Sequence, residues 1–368
     1  MRVLFSLLDA AIAGGQRVAI EIGRRLAAQG DRVGLLVPND GPAADEFRTL
    51  GGTVHPADLQ TLRRASGIGP AAEIARRFDL LYSHTSVPGE ILGARVARRA
   101  GIAHVVHRHT QPHFSPRALT RLVQRRLYGQ ELYTTPFIAV APHLAVVLER
   151  LGIEPGQITV IPNGVDVQVL REHRRGALAR GAQLTVGVLG RLDPAGKGQD
   201  VFIEAVRRLT EPGVRFVIGG APGPFHDFEA AVRRAAADVG VEVKDPGSRG
   251  VEFLAFLDIV VIPSRYEGSP LTLFEAMALG KPVIASRIPG IAEVLETSSA
   301  GVLVPPDDPA ALADAITSLV ADPARREALG RTALEVVRRE HGLVHVLDRI
   351  VEILRRAVSP PRDQVYPR

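Results

Sequence analysis

Glu267 and Glu275, with seven residues between them, lie in the stretch of this sequence whose residue types and spacing most clearly suggest chemistry. Asp258 to Ser286 reads as strand, loop, helix and strand. Asp258 to Ile262 is a short β-branched run of the kind buried on both faces of a parallel sheet. Ser269 can cap a helix, Pro270 suits its first position, and Gly280 follows the last turn with Pro282 just beyond. The pattern predicts a helix of about ten residues, with Glu267 in the loop before it and Glu275 inside it. In an open parallel sheet, ligands bind in the crevice outside the carboxyl ends of the strands. Carboxylates there accept hydroxyl groups, and the amides of a helix start receive an anion.

Two cations strengthen that reading. Arg191 follows the apolar run Leu184 to Leu189, and Lys197-Gly198 stands directly before a helical pattern. A guanidinium and an ammonium at the carboxyl end of a strand can neutralise a phosphate. With Glu267 and Glu275 they would make a site for a phosphorylated, hydroxyl-rich ligand. A structural ion pair is the plainer alternative, but it does not explain why these residues fall at a crevice position.

The N-terminal half offers Gly14-Gly15 between a first strand and a helical pattern that runs through Ala27. Two glycines at such a turn let backbone approach a phosphate, although a plain tight turn would look the same. Gly-x-Gly-x-x-Gly is absent, which argues against a dinucleotide fingerprint. Histidines crowd nearby: His84, His104, His107, His109 and His113. His107 and His109 share a face of a predicted strand. A His-x-His-x-x-x-His metal site lacks an obvious carboxylate partner, so no metal is expected, and a single histidine facing the crevice is the more economical idea. Ser115 to Gly129 reads as a basic amphipathic helix, with Arg117, Arg121 and Arg125 at four-residue spacing and Leu119, Leu122, Val123 and Leu127 on another face. It could lie on an anionic membrane or grip an anionic acceptor, or simply be a solvated face.

The elements that must position these residues are those of two α/β domains. Strands are expected at Arg2 to Leu8, Arg32 to Val37, Thr53 to His55, Leu80 to Ser83, His104 to His109 and Phe137 to Ala141. A second run follows at Leu184 to Leu189, Arg215 to Ile218, Val241 to Val243, Leu257 to Ile262, Pro282 to Ala285 and Gly301 to Val304. The division is read as a first domain over 1–166, a polar linker over 167–183 and a second domain over 184–345. A closing helix over 346–358 would pack back on the first domain, ahead of a frayed tail over 359–368.

At 368 residues the chain is long enough for two cores. It has no cysteine, which removes disulfides and thiolate metal sites. No apolar run approaches the roughly 20 residues of a membrane span, and the expectation is a cytoplasmic protein, at most peripheral at the inner membrane face. Residues 1–166 carry 19 Arg and no Lys against 14 acidic residues, so the net charge of +5 resides in that half. That suits an anionic partner. It is too modest for nucleic acid, and no aromatic and basic interleaving supports one.

Together these residues resemble the retaining GT-B glycosyltransferases of family 4, and the resemblance covers nearly the whole chain. Gly14-Gly15 looks like the family's N-terminal glycine loop and His109 like its inter-domain histidine. Asn163-Gly164-Val165-Asp166 is similar to the segment entering the linker, and Arg191 with Lys197 to its diphosphate-binding pair. Glu267 to Glu275 matches its Glu-x7-Glu signature, embedded in Pro-Ser-x-x-Glu-Gly and Glu-Ala-Met-Ala-x-Gly-x-Pro-Val. The resemblance implies an α/β fold of two doubly wound Rossmann-like domains facing a central cleft. It implies transfer of a sugar from a UDP- or GDP-linked donor to an unidentified hydroxyl acceptor, without cofactor or metal. Glu267 and His109 would contact the donor sugar, and Glu275 the ribose. Arg191, Lys197 and the amides of Leu271 and Thr272 would hold the diphosphate, with Gly14, Gly15, Gly268 and Ser269 lining the donor site. Where the family often has Gly-Phe-Gly, this chain has Gly268-Ser269-Pro270, and Pro270 has no N–H to give. Another GT-B activity, such as a sugar-nucleotide epimerase or a phosphorylase, stays open, because fold does not fix function.

Overall fold

The computed structural model describes residues 1–57, 65–112, 117–176, 183–194, 196–210, 213–220 and 225–359. It divides into two units: Met1–Pro162 together with His345–Arg368, and Asn163–Val344.

The first unit is built on seven parallel strands: β1 (Arg2–Leu7), β2 (Arg32–Val37), β3 (Thr53–Pro56), β4 (Leu80–His84), β5 (Ala103–Arg108), β6 (Phe137–Ala139) and β7 (Ile158–Val160). Their order is β3-β2-β1-β4-β5-β6-β7. The second has six: β8 (Leu184–Leu189), β9 (Val214–Gly219), β10 (Glu242–Lys244), β11 (Ile259–Ile262), β12 (Val283–Ser286) and β13 (Val302–Val304), ordered β10-β9-β8-β11-β12-β13. Helices connect successive strands, and all the strand pairs are parallel. These are two doubly wound, Rossmann-like sheets. Continuous apolar runs such as Ile259-Val260-Val261-Ile262 are buried because helices cover both sheet faces. Each such side chain contributes roughly 1.5–3 kcal/mol of burial free energy.

In each sheet the order of winding reverses between two central strands, β1 and β4 in the first and β8 and β11 in the second. Outside their carboxyl ends lies the ligand crevice of such sheets. The glycine pair and His84 follow β1 and end β4, while Arg191 and Lys197 follow β8 and Glu267 follows β11.

The linker expected over 167–183 is helical in its first part, Val167–Gly176. Its polar composition is offset by two local features. The Asp166 carboxylate accepts from the amides of Gln168 and Val169 at 3.0 and 3.1 Å, and Leu170 is buried in the second unit's core. Residues 177–182 of that stretch lie outside the described residues. The last helix, Leu343–Val358, buries Val346, Leu347, Ile350, Val351 and Leu354. Most of it belongs to the first unit, where Arg355 bonds Asp31 and Gln29 at 2.8 Å each and Arg25 bonds Asp348.

Candidate donor site and the family it belongs to

Two loops of the second unit carry the predicted charged residues, and they are tied to each other. The Arg265 amide donates to the Gly196 carbonyl at 2.8 Å, and the Arg265 guanidinium holds Asp200 at 2.7 and 3.0 Å and Asp307 at 2.7 Å. The Gln199 amide group donates to the Arg191 carbonyl at 2.9 Å. Gly198 has φ +65°, and a Cβ there would sit 2.0 Å from the Pro263 carbonyl oxygen, so only glycine lets these loops approach so closely.

That frame brings Lys197 and Glu267 into contact, Nζ to Oε1 at 2.7 Å, although they are 70 residues apart in sequence. Ser264, buried at the end of β11, donates its hydroxyl to the same Oε1 at 2.8 Å. One carboxylate oxygen is thereby fixed by a cation and a hydroxyl. Arg191 lies in the same loop as Lys197, half-exposed, with its guanidinium 3.0 Å from Asp193. Sequence reasoning gave Ser264 no role, although it is the serine of the Pro-Ser-x-x-Glu-Gly signature, three residues before Glu267.

The helix that follows runs from Leu271 to Ala278, and its cap residue is Pro270. Ser269 was expected to cap it, and its side chain makes no cap bond. Both Ser269 oxygens instead face Asn163: the hydroxyl accepts from the Asn163 amide at 3.2 Å and the carbonyl from Asn163 Nδ2 at 2.7 Å. Leu271 and Thr272 are thus the first helical residues, where amides have no carbonyl partner within the helix. Glu275 is buried one turn further in. Behind the helix, His341 stacks on Phe274 at 4.0 Å and faces the Asn163 carbonyl through Nδ1 at 3.2 Å. A carbonyl only accepts, so Nδ1 carries the proton, and burial lowers the His341 pKa and keeps the ring neutral. Gly290, at φ +84°, lies against the loop's other side, where a Cβ would fall 2.2 Å from the Gly268 carbonyl oxygen.

Gly14, Gly15 and His109 belong to the first unit. Gly14 and Gly15 open the Gly14–Ala28 helix, and a Cβ on Gly15 would lie 3.4 Å from the His109 ring. His109 falls just past β5 rather than within it. Its neighbour is His84, Nδ1 to His109 Nε2 at 2.9 Å, a residue the histidine spacing did not single out. His113 lies outside the described residues. In the basic helix, here Ala118–Leu132, Arg117 at the cap position and Arg125 are exposed, as are Leu119, Leu122 and Val123. The Arg121 side chain lies outside the described residues.

A profile described as Glycosyltransferase Family 4 matches residues 12–169, and one described as Glycosyl transferases group 1 matches residues 183–322. Between them they cover most of both units, including every predicted site residue. The chain belongs to the family 4 glycosyltransferases. A D-inositol 3-phosphate glycosyltransferase of Acidothermus cellulolyticus is 29% identical over 294 residues, covering 72% of this chain and 64% of that protein's length. One from Stackebrandtia nassauensis is 28% identical over 406 residues, covering 95% and 89%. Among solved structures, Anabaena HepE in complex with UDP superimposes with a TM-score of 0.83 at 22% identity, over 96% of this chain and all of that one. This family 4 member thus shares its GT-B fold with proteins of widely diverged sequence.

Proposed function

We propose that the protein transfers a sugar from a nucleoside diphosphate sugar to a hydroxyl acceptor, with retention of anomeric configuration and without a metal ion. The observation that carries this reading is the Lys197–Glu267–Ser264 cluster at the carboxyl ends of β8 and β11, beside the start of the Leu271–Ala278 helix. In this reading Lys197, Arg191 and the amides of Leu271 and Thr272 receive the diphosphate, whose negative charge grows as the sugar departs. Glu267 accepts hydroxyls of the donor sugar, Glu275 those of the ribose, and His109 serves the donor sugar from the first unit. The leaving phosphate helps deprotonate the acceptor on the same face, so no carboxylate nucleophile is needed. Two cations and a helix start take the place of a divalent ion. A relative of the same fold has been solved with UDP and with UDP-glucose, which supports a uridine donor. The curated relatives are named for D-inositol 3-phosphate, which supports a phosphorylated polyol as acceptor and suits the arginine excess of the first half.

The test is transfer or donor hydrolysis with a panel of UDP- and GDP-sugars in EDTA, with inositol phosphates among the acceptors and the product's anomer read by NMR. Activity that appears only with added metal, or an inverted anomer, would overturn the reading.

The exposed Leu119, Leu122 and Val123 beside Arg117 and Arg125 support a further element, peripheral contact with an anionic membrane. Co-sedimentation with anionic vesicles, strong at low salt and lost at high salt, is the expected result; no binding at low salt removes it.

A further inference from the structure

The structure gathers three imidazoles of the first unit into one group. His84 ends β4, His107 lies beside it on β5, and His109 follows two residues later. One ring nitrogen from each falls within 4.8 Å of the other two. Their present partners leave ligand capacity over. His84 Nδ1 and His109 Nε2 share a hydrogen bond at 2.9 Å, and His107 Nδ1 is held by the Tyr82 hydroxyl at 2.7 Å. The Nε2 atoms of His84 and His107 are buried, and neither has a hydrogen-bond partner among the described residues. A buried polar atom without a partner costs about 1–3 kcal/mol, so two in one cluster call for an account.

Zinc supplies one. Neutral imidazole is the form that binds a metal. An all-imidazole set suits zinc, nickel or copper and not magnesium or calcium, which take oxygen ligands. We propose that His84, His107 and His109 form a zinc-binding site in the first unit, separate from the diphosphate site. In it, the ion takes the place of the proton between His84 Nδ1 and His109 Nε2, which passes to the other nitrogen of the ring that carried it, so that each ring stays neutral; His107 Nε2 is the third ligand. Zinc–nitrogen bonds of about 2.0–2.1 Å at tetrahedral angles place ligand nitrogens roughly 3.4 Å apart, so the His84–His109 pair opens by about half an ångström. His107 and His109 are stacked now, with ring centroids at 4.3 Å, and both rings turn about their broad χ2 wells to face the ion. Tyr82 is the outer partner that fixes the His107 ring, the arrangement usual for metal-bound histidine. Three protein ligands leave a fourth position for water. His109 is also the residue that the proposed function gives to the donor sugar; on that reading, filling the site inhibits transfer.

The experiment uses the full chain, untagged and stripped of metal. Zinc is titrated against a chromogenic chelator, and cobalt is added in parallel to read the visible bands of a four-coordinate ion. The expected result is one equivalent bound at about micromolar affinity or tighter. His107→Gln should weaken binding at least tenfold and Tyr82→Phe roughly tenfold, while Lys197→Met leaves binding unchanged. Absence of binding by about 100 µM zinc, or binding that survives His107→Gln, overturns the proposal. Should His107→Gln fold poorly, histidine ring NMR of the wild-type chain decides. Zinc must shift three imidazole spin systems together, and a shift of other histidines alone overturns the site. Zinc that binds without inhibiting transfer would keep the metal site and break the assignment of His109, whereas EDTA-resistant transfer tests the donor chemistry separately.

Discussion

The two units put opposite chemistry at the same place in the same kind of sheet. Where β1 and β4 part, the first unit has a glycine pair and three stacked, neutral imidazoles. At β8 and β11 the second has an ammonium, a guanidinium and carboxylates tied into two interlocked loops. A doubly wound sheet supplies a crevice and helix amides, and only the residues at the strand ends decide whether that crevice suits fixed charge or a neutral ring. The charged crevice of the second unit is suited to hold an anion, and the neutral one of the first unit to meet polar groups without bringing charge of its own.

Breaking the charged side of this comparison should cost most. Lys197→Met is expected to lower kcat/KM for sugar transfer by about 10²–10³-fold with the melting temperature little changed, as for loss of one preorganised donor to a developing anion. Full activity in that variant would erase the contrast between the units. Gly290→Ala comes next. Its new methyl must displace the Gly268 loop from a φ that L-residues resist, at a cost of about 1–3 kcal/mol in urea unfolding together with a raised donor KM. Unchanged stability would mean the loop is not fixed from that side. Asn163→Ala removes the side-chain bond from Nδ2 to the Ser269 carbonyl, leaving the one from its backbone amide, and should cut kcat/KM roughly tenfold through a misplaced helix start; an effect on stability alone would make Asn163 merely structural.

The smallest effect sharpens the neutral side. Burial pushes His104, in the first unit, down to about 3 from 6.5. The unfolded chain takes up a proton there below 6.5 while the folded one does not, so stability falls with pH. Going from pH 7 to pH 6 should remove about 0.7 kcal/mol through this residue, read as the difference between wild type and His104→Gln in urea melts at both pH values. Parallel pH dependence in the two proteins would show that His104 does not carry it.

Much of this was legible in the sequence, and the failures share a cause. Arg32–Val37 and Leu184–Leu189 were located to the residue because β-branched runs end sharply at turn residues. Lys197 and Glu267 could be named because each sits beside a local signal, a strand end or a helix start. Ser269 misled because its partner, Asn163, is 106 residues away, and local capping preference lost to that tertiary bond. The helix at Val167–Gly176 was hidden by polar composition, since one buried leucine and an aspartate cap decided it. His84 was named among the crowded histidines but not joined to His107 and His109, because their closeness is set by the β4–β5 register, which pairs Ser83 with Val106, and no spacing within one segment reveals that.

The helix Leu343–Val358 has a consequence for how the protein is made. The first unit begins at the start of the chain, yet the Asp31 carboxylate and the Gln29 amide oxygen wait for Arg355, and Arg25 for Asp348. On the ribosome, the second unit therefore has all its residues before the first one does. The order of completion is the reverse of the order of synthesis, and early-made strands must stay out of trouble until the last helix arrives.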